Sequence, residues 1–361
     1  MVGSRPEMVD AVPPEVLARW SSLRGRPARR FGTGLINDTY LVEGADGRAL
    51  VVQRLHPVFS PAIHDDIHAV TGHLRAKGVA TPALVAADDG ARWVEHPRDD
   101  GSPGVWRAMT YVPDSVTWDR APSAAVAREA GALVATFHRA LADLDHAYVG
   151  RKGRPHDTAR HVAVLEESLA EHRGHRLYGE VAPLARELLD ALRPPPDFSD
   201  LPARHAHGDL KLSNLLFTRD GRGLCLVDLD TVGRMPWPHE MGDALRSWCN
   251  PAGEDAAEVH FDVALFEAAV GGYAERAGGA VTAAEWGRLV DGVLAICREL
   301  AARFLADALR ERYFGWDPSR HATRGEHNLA RARGQWRLAE SVRNQRTALE
   351  AAVARASANA E

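Results

Sequence analysis

The sequence predicts an α+β protein of two lobes, a small antiparallel-sheet lobe over residues 1–112 and a larger helical lobe over 113–361. Three observations lead there. Short β-prone runs broken by turn residues fill the first third of the chain. Beyond the turn-rich stretch PDSVTWDRAPS (113–123) the apolar spacing becomes helical. One hairpin-like run, LLFTRDGRGLCLVDLD, then interrupts the helices. A chain of 361 residues also fits two units at roughly 150 residues each.

The elements follow in order. A short helix is expected over 14–24. TYLVEGADGRALVVQRL reads as a hairpin, with strands near 39–43 and 49–55 around the turn-forming EGADGR. In SPAIHDDIHAVTGHLRAKG, Ile63, Ile67, Val70 and Leu74 recur at helical spacing, with Ser60 and Pro61 as start and Gly78 as stop. PALVAA, RWVEHP and VWRAMTYV are short runs that complete the sheet. SAAVAREAGALVATFHRAL aligns Val126, Leu133, Val134, Phe137 and Leu141 on one helical face. Helices are expected near 240–249, 257–277, 282–312 and 326–352, the third opened by a Thr282/Glu285 capping box.

Composition narrows the class. Apolar residues make up 45% and charged residues 26%, an ordinary globular balance. The formal net charge of −5 lacks the general basic footprint of nucleic-acid binding. The arginines of the last helix, Arg331, Arg333, Arg337, Arg343 and Arg346, alternate with acidic and apolar residues and read as a solvated face. Cys225, Cys249 and Cys297 are three widely spaced cysteines with no C-x-x-C, which indicates neither a disulfide framework nor a zinc site. With no run of eighteen apolar residues and no apolar signal core, the expectation is a cytoplasmic protein without a membrane partner. His64, His68 and His73 fall near helical spacing but lack a further ligand and read as a solvated face.

The chemistry concentrates in HAHGDLKLSNLLF (205–217) and the following VDLDT. Phosphoryl transfer from ATP needs a carboxylate to hold and deprotonate the attacking hydroxyl, and oxygen ligands for Mg²⁺. Asp209 and Asn214 stand five positions apart on one loop, and Asp228 follows a strand-like run, with room for one hairpin between them. A lone Asp-Leu-Asp is a common turn, and a lone His-Gly-Asp a common loop. Their order with a strand between them is far more specific.

HGDLKLSN followed by LVDLD resembles the aminoglycoside phosphotransferase and choline kinase superfamily, relatives of the protein kinases, and the resemblance extends over most of the chain. It implies a two-lobed protein-kinase-like fold that uses ATP and Mg²⁺. It makes Asp209 the catalytic base and Asn214 and Asp228 the metal ligands. Asp243, in EMGDALRSW, takes the position of a buried Asp that anchors the catalytic loop, or else is an ordinary helix-start Asp. FGTGLINDTYLV (31–42) takes the place of the phosphate-covering loop. Gly32 and Gly34 then bring backbone N–H groups to the phosphates, and Asn37 or Thr39 either hydrogen-bonds them or braces the turn. Arg54 in LVVQRL stands where these kinases place a phosphate-binding Lys, with Asp65 or Asp66 as a candidate acidic partner. The backbone near Thr110 to Val112 would pair with adenine.

Four segments carry a closer resemblance, to the N-acetylhexosamine 1-kinases: GTGLINDTYLV, VVQRLHPVF, DLDTVGRMP with GDALR, and RFLADALRERYF with HNLARARGQW. That group phosphorylates the anomeric hydroxyl of a free amino sugar. The resemblance implies that Arg303 and Tyr313 grip the sugar; the alternatives are an Arg303 pair with Glu299 and a core Tyr313. Departures at Gly208 and Leu210 and a late segment one residue shorter fall on the acceptor side. Another alcohol, such as an aminoglycoside, choline or homoserine, stays open as the acceptor. So does a non-catalytic nucleotide-binding module.

Overall fold

The computed structural model describes residues 12–32, 37–98, 101–150, 156–256 and 258–360, and the chain divides into two compact units. One holds residues up to 72, 82–113 and 149–151; the other holds the rest.

The sheet unit opens with α1 (Pro14–Leu17), shorter than the expected helix: the backbone is extended at Trp20 (φ −116°, ψ 110°), and the chain then makes a 3₁₀ turn at Ser21–Leu23. The strands are β1 (Ala28–Arg30), β2 (Asp38–Glu43) and β3 (Ala49–Leu55). After α2 (Ile63–Ala76) come β4 (Leu84–Val85), β5 (Val94–Pro97) and β6 (Pro103–Thr110). Among the described residues they form one antiparallel sheet in the order β1-β2-β3-β6-β4, with β5 also on β6. Alternation puts Tyr40, Val42, Val52, Trp106 and Ala108 on one buried face, packed against Val16, Trp20 and Leu23. The Trp20 indole N–H donates to the Val85 carbonyl at 2.9 Å, which satisfies the one polar atom of that ring. The expected hairpin falls within a residue of its predicted strands. β1 was not expected, since Ala-Arg-Arg carries no alternation.

The helical unit begins with α3 (Ala124–Leu141), α4 (Thr158–Glu171) and α5 (Tyr178–Ala191). Next come β7 (Ala203–Ala206), β8 (Leu215–Phe217), β9 (Gly223–Leu226) and β10 (Gly233–Pro236). β8 and β9 form the expected hairpin, and β10 returns antiparallel to β7. The rest is helical: α6 (Trp237–Trp248), α7 (Val263–Ala277), α8 (Ala283–Gly287), α9 (Leu289–Arg310), α10 (Arg324–Asn344) and α11 (Arg346–Ser357). α9 is apolar on nearly every side and buried accordingly, with α4, α5, α6 and α10 packed around it.

Two helices expected as continuous are broken. The Thr282/Glu285 capping box exists, but Glu285 also pairs with Arg204 of β7 at 2.5 and 2.7 Å, which ties α8 to the sheet strand while α9 sets off anew. The last segment divides at Gln345, whose side-chain amide donates to the Phe261 carbonyl at 2.9 Å. Arg331, Arg333 and Arg346 pair with Asp255, Glu180 and Asp291 at 2.6–2.7 Å. All three cysteines are buried and unbridged. Among the described residues no helix is long and apolar enough to cross a membrane.

Backbone proximity sets the α6–α9 packing. A Cβ on Gly242 would stand 2.6 Å from the Gly292 carbonyl, and one on Gly292 would stand 2.1 Å from the Pro238 oxygen. Gly242→Ala should therefore lower stability by about 1–3 kcal/mol. Gly287→Ala, which meets nothing within 4 Å, should shift it by roughly 0.5 kcal/mol or less. Urea unfolding of the two variants checks the contrast.

Candidate active site

β7 ends at Ala206, and the chain leaves it through His207, Gly208 and Asp209. Gly208 has φ +82°, a left-handed conformation that turns the chain sharply there. The loop is held by a carboxylate. Glu240, in the first turn of α6, accepts the His207 N–H at 2.6 Å and the Gly208 N–H at 3.0 Å. A hydrogen-bonded chain runs behind it: the Trp237 indole donates to the Tyr273 hydroxyl (2.8 Å), the hydroxyl meets His138 Nδ1 (2.9 Å), and His138 Nε2 meets Glu240 Oε1 (3.4 Å). With Nε2–H directed at the carboxylate, every member has a partner. Burial alone would push the Glu240 carboxyl up, but His138 and His207 outweigh it and hold it below the usual carboxylate range.

The rest of the loop is braced at each residue. The buried His207 ring meets the Val227 carbonyl through Nε2 at 2.8 Å, and the Thr231 hydroxyl donates to the His207 carbonyl at 2.8 Å. The Trp248 indole, at the far end of α6, donates to the Leu210 carbonyl at 2.7 Å. Asn214 sits in a 3₁₀ turn and donates through Nδ2 to the Asp209 carbonyl (2.8 Å) and to Asp209 Oδ2 (3.0 Å). Lys211 Nζ reaches the same Oδ2 at 2.9 Å. Both side-chain donors land on Oδ2, and Oδ1 has no partner among the described residues. Burial disfavours the Lys211 charge, yet the Asp209 and Asp228 carboxylates outweigh it and raise its pKa. Asp228 follows β9 at φ +63°, a strained setting for a non-glycine residue, at the start of a 3₁₀ turn. The structure thus gathers Asp209, Asn214 and Lys211 by direct contact, with Asp228 as a charge beside Lys211.

Asp243 does not hold the loop by the bonds expected of it. Its carboxylate pairs with Arg246 of the next turn, at 2.9 and 3.2 Å. Burial would raise its pKa, but Arg246 holds it low. The loop-holding acid is Glu240, three positions earlier. Glu240 and Lys211 are the functional residues that motif spacing missed. Lys211 lay inside the quoted motif, whereas Glu240 had no signal beyond being an acid near the start of a helix.

Late in the chain, Arg303 of α9 lies with its guanidinium 5.4 Å from the Phe314 ring centroid. It has no hydrogen bond or ion pair among the described residues. The expected alternative, a pair with Glu299, is not formed: Glu299 accepts from Thr158 Oγ1 (2.5 Å) and His156 Nδ1 (3.1 Å). Asp307 shapes the loop after α9 by accepting the N–H groups of Arg312, Tyr313 and Phe314 at 2.8–2.9 Å. Tyr313 is 68% exposed, with Phe314 against its ring at 4.8 Å, so it is not a core residue.

In the sheet unit, Gly34 lies outside the described residues. Gly32 has φ +77°, open to glycine alone at little cost. Asn37 Oδ1 accepts the His56 N–H at 2.9 Å and so ties the start of β2 to the end of β3. The Thr39 hydroxyl accepts from Gln53 at 3.1 Å. These bonds brace the strand pair. Arg54 pairs with Asp38 on the adjacent strand (2.7 Å) and lies over Trp106 (5.7 Å). Asp65 pairs with Arg92, and Asp66 accepts from the Val149 and Gly150 N–H groups. The Thr110 N–H donates to the Ala83 carbonyl at 2.9 Å and is not available to adenine; Val112 lies just beyond β6.

Glu240→Ala would leave two buried N–H groups without a partner, a cost of about 1–3 kcal/mol each. The expected outcome is a lowered thermal midpoint and a kcat reduced at least roughly 100-fold, since the loop carries Asp209. Glu240→Gln keeps one acceptor and should fall between. Melting curves and turnover on the three proteins decide it.

Comparison with known proteins follows the same lines. The model of the phosphotransferase enzyme family matches residues 27–278. Among solved structures, a microcompartment-associated aminopropanol kinase superposes with TM-score 0.60 at 17% identity, covering 92% of this chain and 97% of that one. Amicoumacin kinase in complex with AMP-PNP and Ca²⁺ gives TM-score 0.58 at 14% identity, covering 88% of each chain. A choline/ethanolamine kinase family protein from Mesorhizobium loti gives 0.53 at 18% identity, covering 93% and 96%. The fold is the protein-kinase-like one of these enzymes, and with the family model spanning most of its length the chain belongs to the phosphotransferase enzyme family.

Proposed function

We propose that the protein is an ATP- and Mg²⁺-dependent kinase that phosphorylates the anomeric hydroxyl of a free N-acetylhexosamine or a closely related sugar. The observation that carries the kinase reading is the asymmetry of Asp209, with Lys211 and Asn214 on Oδ2 and Oδ1 left open. Oδ1 accepts the proton of the acceptor hydroxyl as its oxygen bonds to the γ-phosphorus. The bond from that phosphorus to the β–γ bridging oxygen breaks, and ADP leaves. Lys211 and Asn214 keep the carboxylate oriented throughout.

Asn214 Oδ1, which makes no hydrogen bond among the described residues while Nδ2 points at Asp209, and the Asp228 carboxylate are hard oxygen donors. They suit a Mg²⁺ ion that takes few protein ligands and completes its shell with phosphate oxygens and water. That ion, when bound, neutralises phosphate charge. On the sheet unit, Gly32 and Arg54 are the phosphate contacts in this reading, and the backbone near Val112 the adenine contact. Asn37 and Thr39 support the strands.

Arg303 favours an oxygen-rich acceptor. A half-buried guanidinium with no hydrogen bond or ion pair among the described residues and a ring beneath it suits hydroxyl or acetyl oxygens. The anomeric hydroxyl is more acidic than other sugar hydroxyls, so one carboxylate base suffices. A second reading rests on the structural neighbours, which include an aminopropanol kinase and a choline/ethanolamine kinase family protein. It makes the acceptor an amino alcohol.

An ADP-release assay over free sugars, N-acetylhexosamines, aminoglycosides, choline, ethanolamine, aminopropanol and homoserine separates the readings, with phosphorus NMR to locate the ester. Activity confined to a non-sugar alcohol overturns the sugar reading, and ATP binding with no turnover on any acceptor favours a non-catalytic module. Asp209→Asn should lower kcat by roughly 10²–10⁴-fold while ATP affinity stays within about twofold. Retained turnover removes Asp209 from the base role.

A further inference from the structure

α6 and α9 carry a polar stripe that the loop chemistry does not use. On α6, His239, Asp243 and Arg246 fall at i, i+4 and i+7 and share a face. On α9, Glu299 and Arg303 fall at i and i+4. Close packing of the two helices through Gly242 and Gly292 brings these faces side by side. His156, just before α4, joins them: its Nδ1 meets Glu299 at 3.1 Å, its ring lies 5.8 Å from that of His239, and its backbone holds φ +53°. A non-glycine residue in that conformation is one the surrounding structure has constrained, as happens at ligand sites.

The stripe sorts by what is already satisfied. Both carboxylates are engaged, Asp243 by Arg246 and Glu299 by His156 and Thr158. Several nitrogens of the stripe are left without a hydrogen bond among the described residues. His239 is 8% exposed, and its buried Nε2 makes no hydrogen bond. Its ring neighbours among the described residues are Phe198, edge-on at 4.6 Å, and His156. Among the described residues Arg303 makes no hydrogen bond or ion pair; its guanidinium lies over the Phe314 ring and its charge acts on Asp243. A buried polar atom left unpaired costs free energy, and a ligand atom relieves that cost. The stripe is also next to the chemistry. His239 adjoins Glu240, which holds the loop, and Asp243 lies close enough to Lys211 to raise its pKa.

We infer that His239, with His156 beside it and Arg303 across on α9, forms the acceptor-recognising wall of the site, and that this wall hydrogen-bonds oxygen atoms of an uncharged or anionic acceptor and disfavours ammonium groups. The inference rests on the sugar reading above and sharpens it by assigning the specificity residue. Burial lowers the His239 pKa to about 4, with the neighbouring His156 acting in the same direction, so the ring is neutral near pH 7. A neutral imidazole donates or accepts one hydrogen bond at Nε2, which suits a hydroxyl or an acetyl oxygen. It has no charge with which to hold an ammonium, and the two nearby carboxylates already pair with Arg246 and with His156 and Thr158.

The test compares wild type with His239→Phe, which keeps the edge-on ring against Phe198 but removes both nitrogens, and with His239→Gln, whose amide reaches the Nε2 position. With N-acetylglucosamine as the probe, His239→Phe should raise the acceptor KM about tenfold. The KM for ATP and kcat should stay within about twofold, and His239→Gln should recover part of the loss. In wild type labelled with ¹⁵N-histidine, the His239 Nε2 resonance, assigned by its loss in His239→Gln, should shift saturably as N-acetylglucosamine is added. This reading does not depend on whether the Phe variant folds. If sugars are turned over but the KM does not change and the resonance does not move, the wall is overturned and the sugar kinase stands. If the acceptor proves to be a hydroxy acid, and its KM rises in His239→Phe, the wall stands and the sugar reading fails. Turnover of homoserine alone overturns both. Turnover of choline, ethanolamine or aminopropanol alone, or no binding of any acceptor, overturns both.

Discussion

One carboxylate underlies the geometry of the helical unit. Glu240 is buried and accepts two consecutive backbone N–H groups where β7 passes into the loop that carries Asp209. The tight turn at Gly208 leaves those N–H groups without ladder partners, so some acceptor must come from outside the strand. α6 supplies it because β10 pairs back on β7 and delivers the helix start beside the turn. The charge is tolerated because Trp237, Tyr273 and His138 form a hydrogen-bonded chain into it, each polar atom satisfied in turn. Asp209 then projects from a loop fixed at both ends, by Glu240 at Gly208 and by Trp248 at Leu210.

The same helix serves two purposes through its two faces. Glu240 turns toward the loop, whereas His239, Asp243 and Arg246 turn toward α9. That second face works as a site wall only because Gly242 and Gly292 let the backbones approach closely enough for side chains of the two helices to share one environment. Larger residues there would hold the helices apart and separate Arg303 and Glu299 from the histidines. A packing constraint in the core and the recognition chemistry at the surface of that core thus have a common origin.

In the sheet unit, polar groups that looked free in the sequence are largely occupied. Asn37, Thr39 and Thr110 each meet a neighbouring strand or loop, and Arg54 meets Asp38. Short strands leave many backbone and side-chain groups near an edge, and these are satisfied locally. The arginine retains a permanent charge and a planar face over Trp106, which positions its guanidinium.

Much of the fold was readable in the chain alone. Period-two runs marked the β2–β3 and β8–β9 hairpins, period 3.6 marked α2 and α3, and Thr282 with Glu285 marked a helix start, because these signals are local. The spacing of Asp209, Asn214 and Asp228 was equally local, since one loop and one hairpin carry all three. What the chain alone did not reveal depends on which elements meet. Nothing near Glu240 or Asp243 says which of two acids in one helix reaches the loop; that is decided by the rotation of α6 against β7. The division of the segment 282–312 is decided by Arg204 pulling on Glu285 from a distant strand. The engagement of Glu299 by His156, which leaves Arg303 without an ion pair among the described residues, requires α4 and α9 to pack together. Local pattern determined the elements and the loop chemistry. Tertiary packing decided which polar groups are satisfied within the protein and which remain for a ligand, because hydrogen-bond pairing depends on distances in space that sequence separation does not encode.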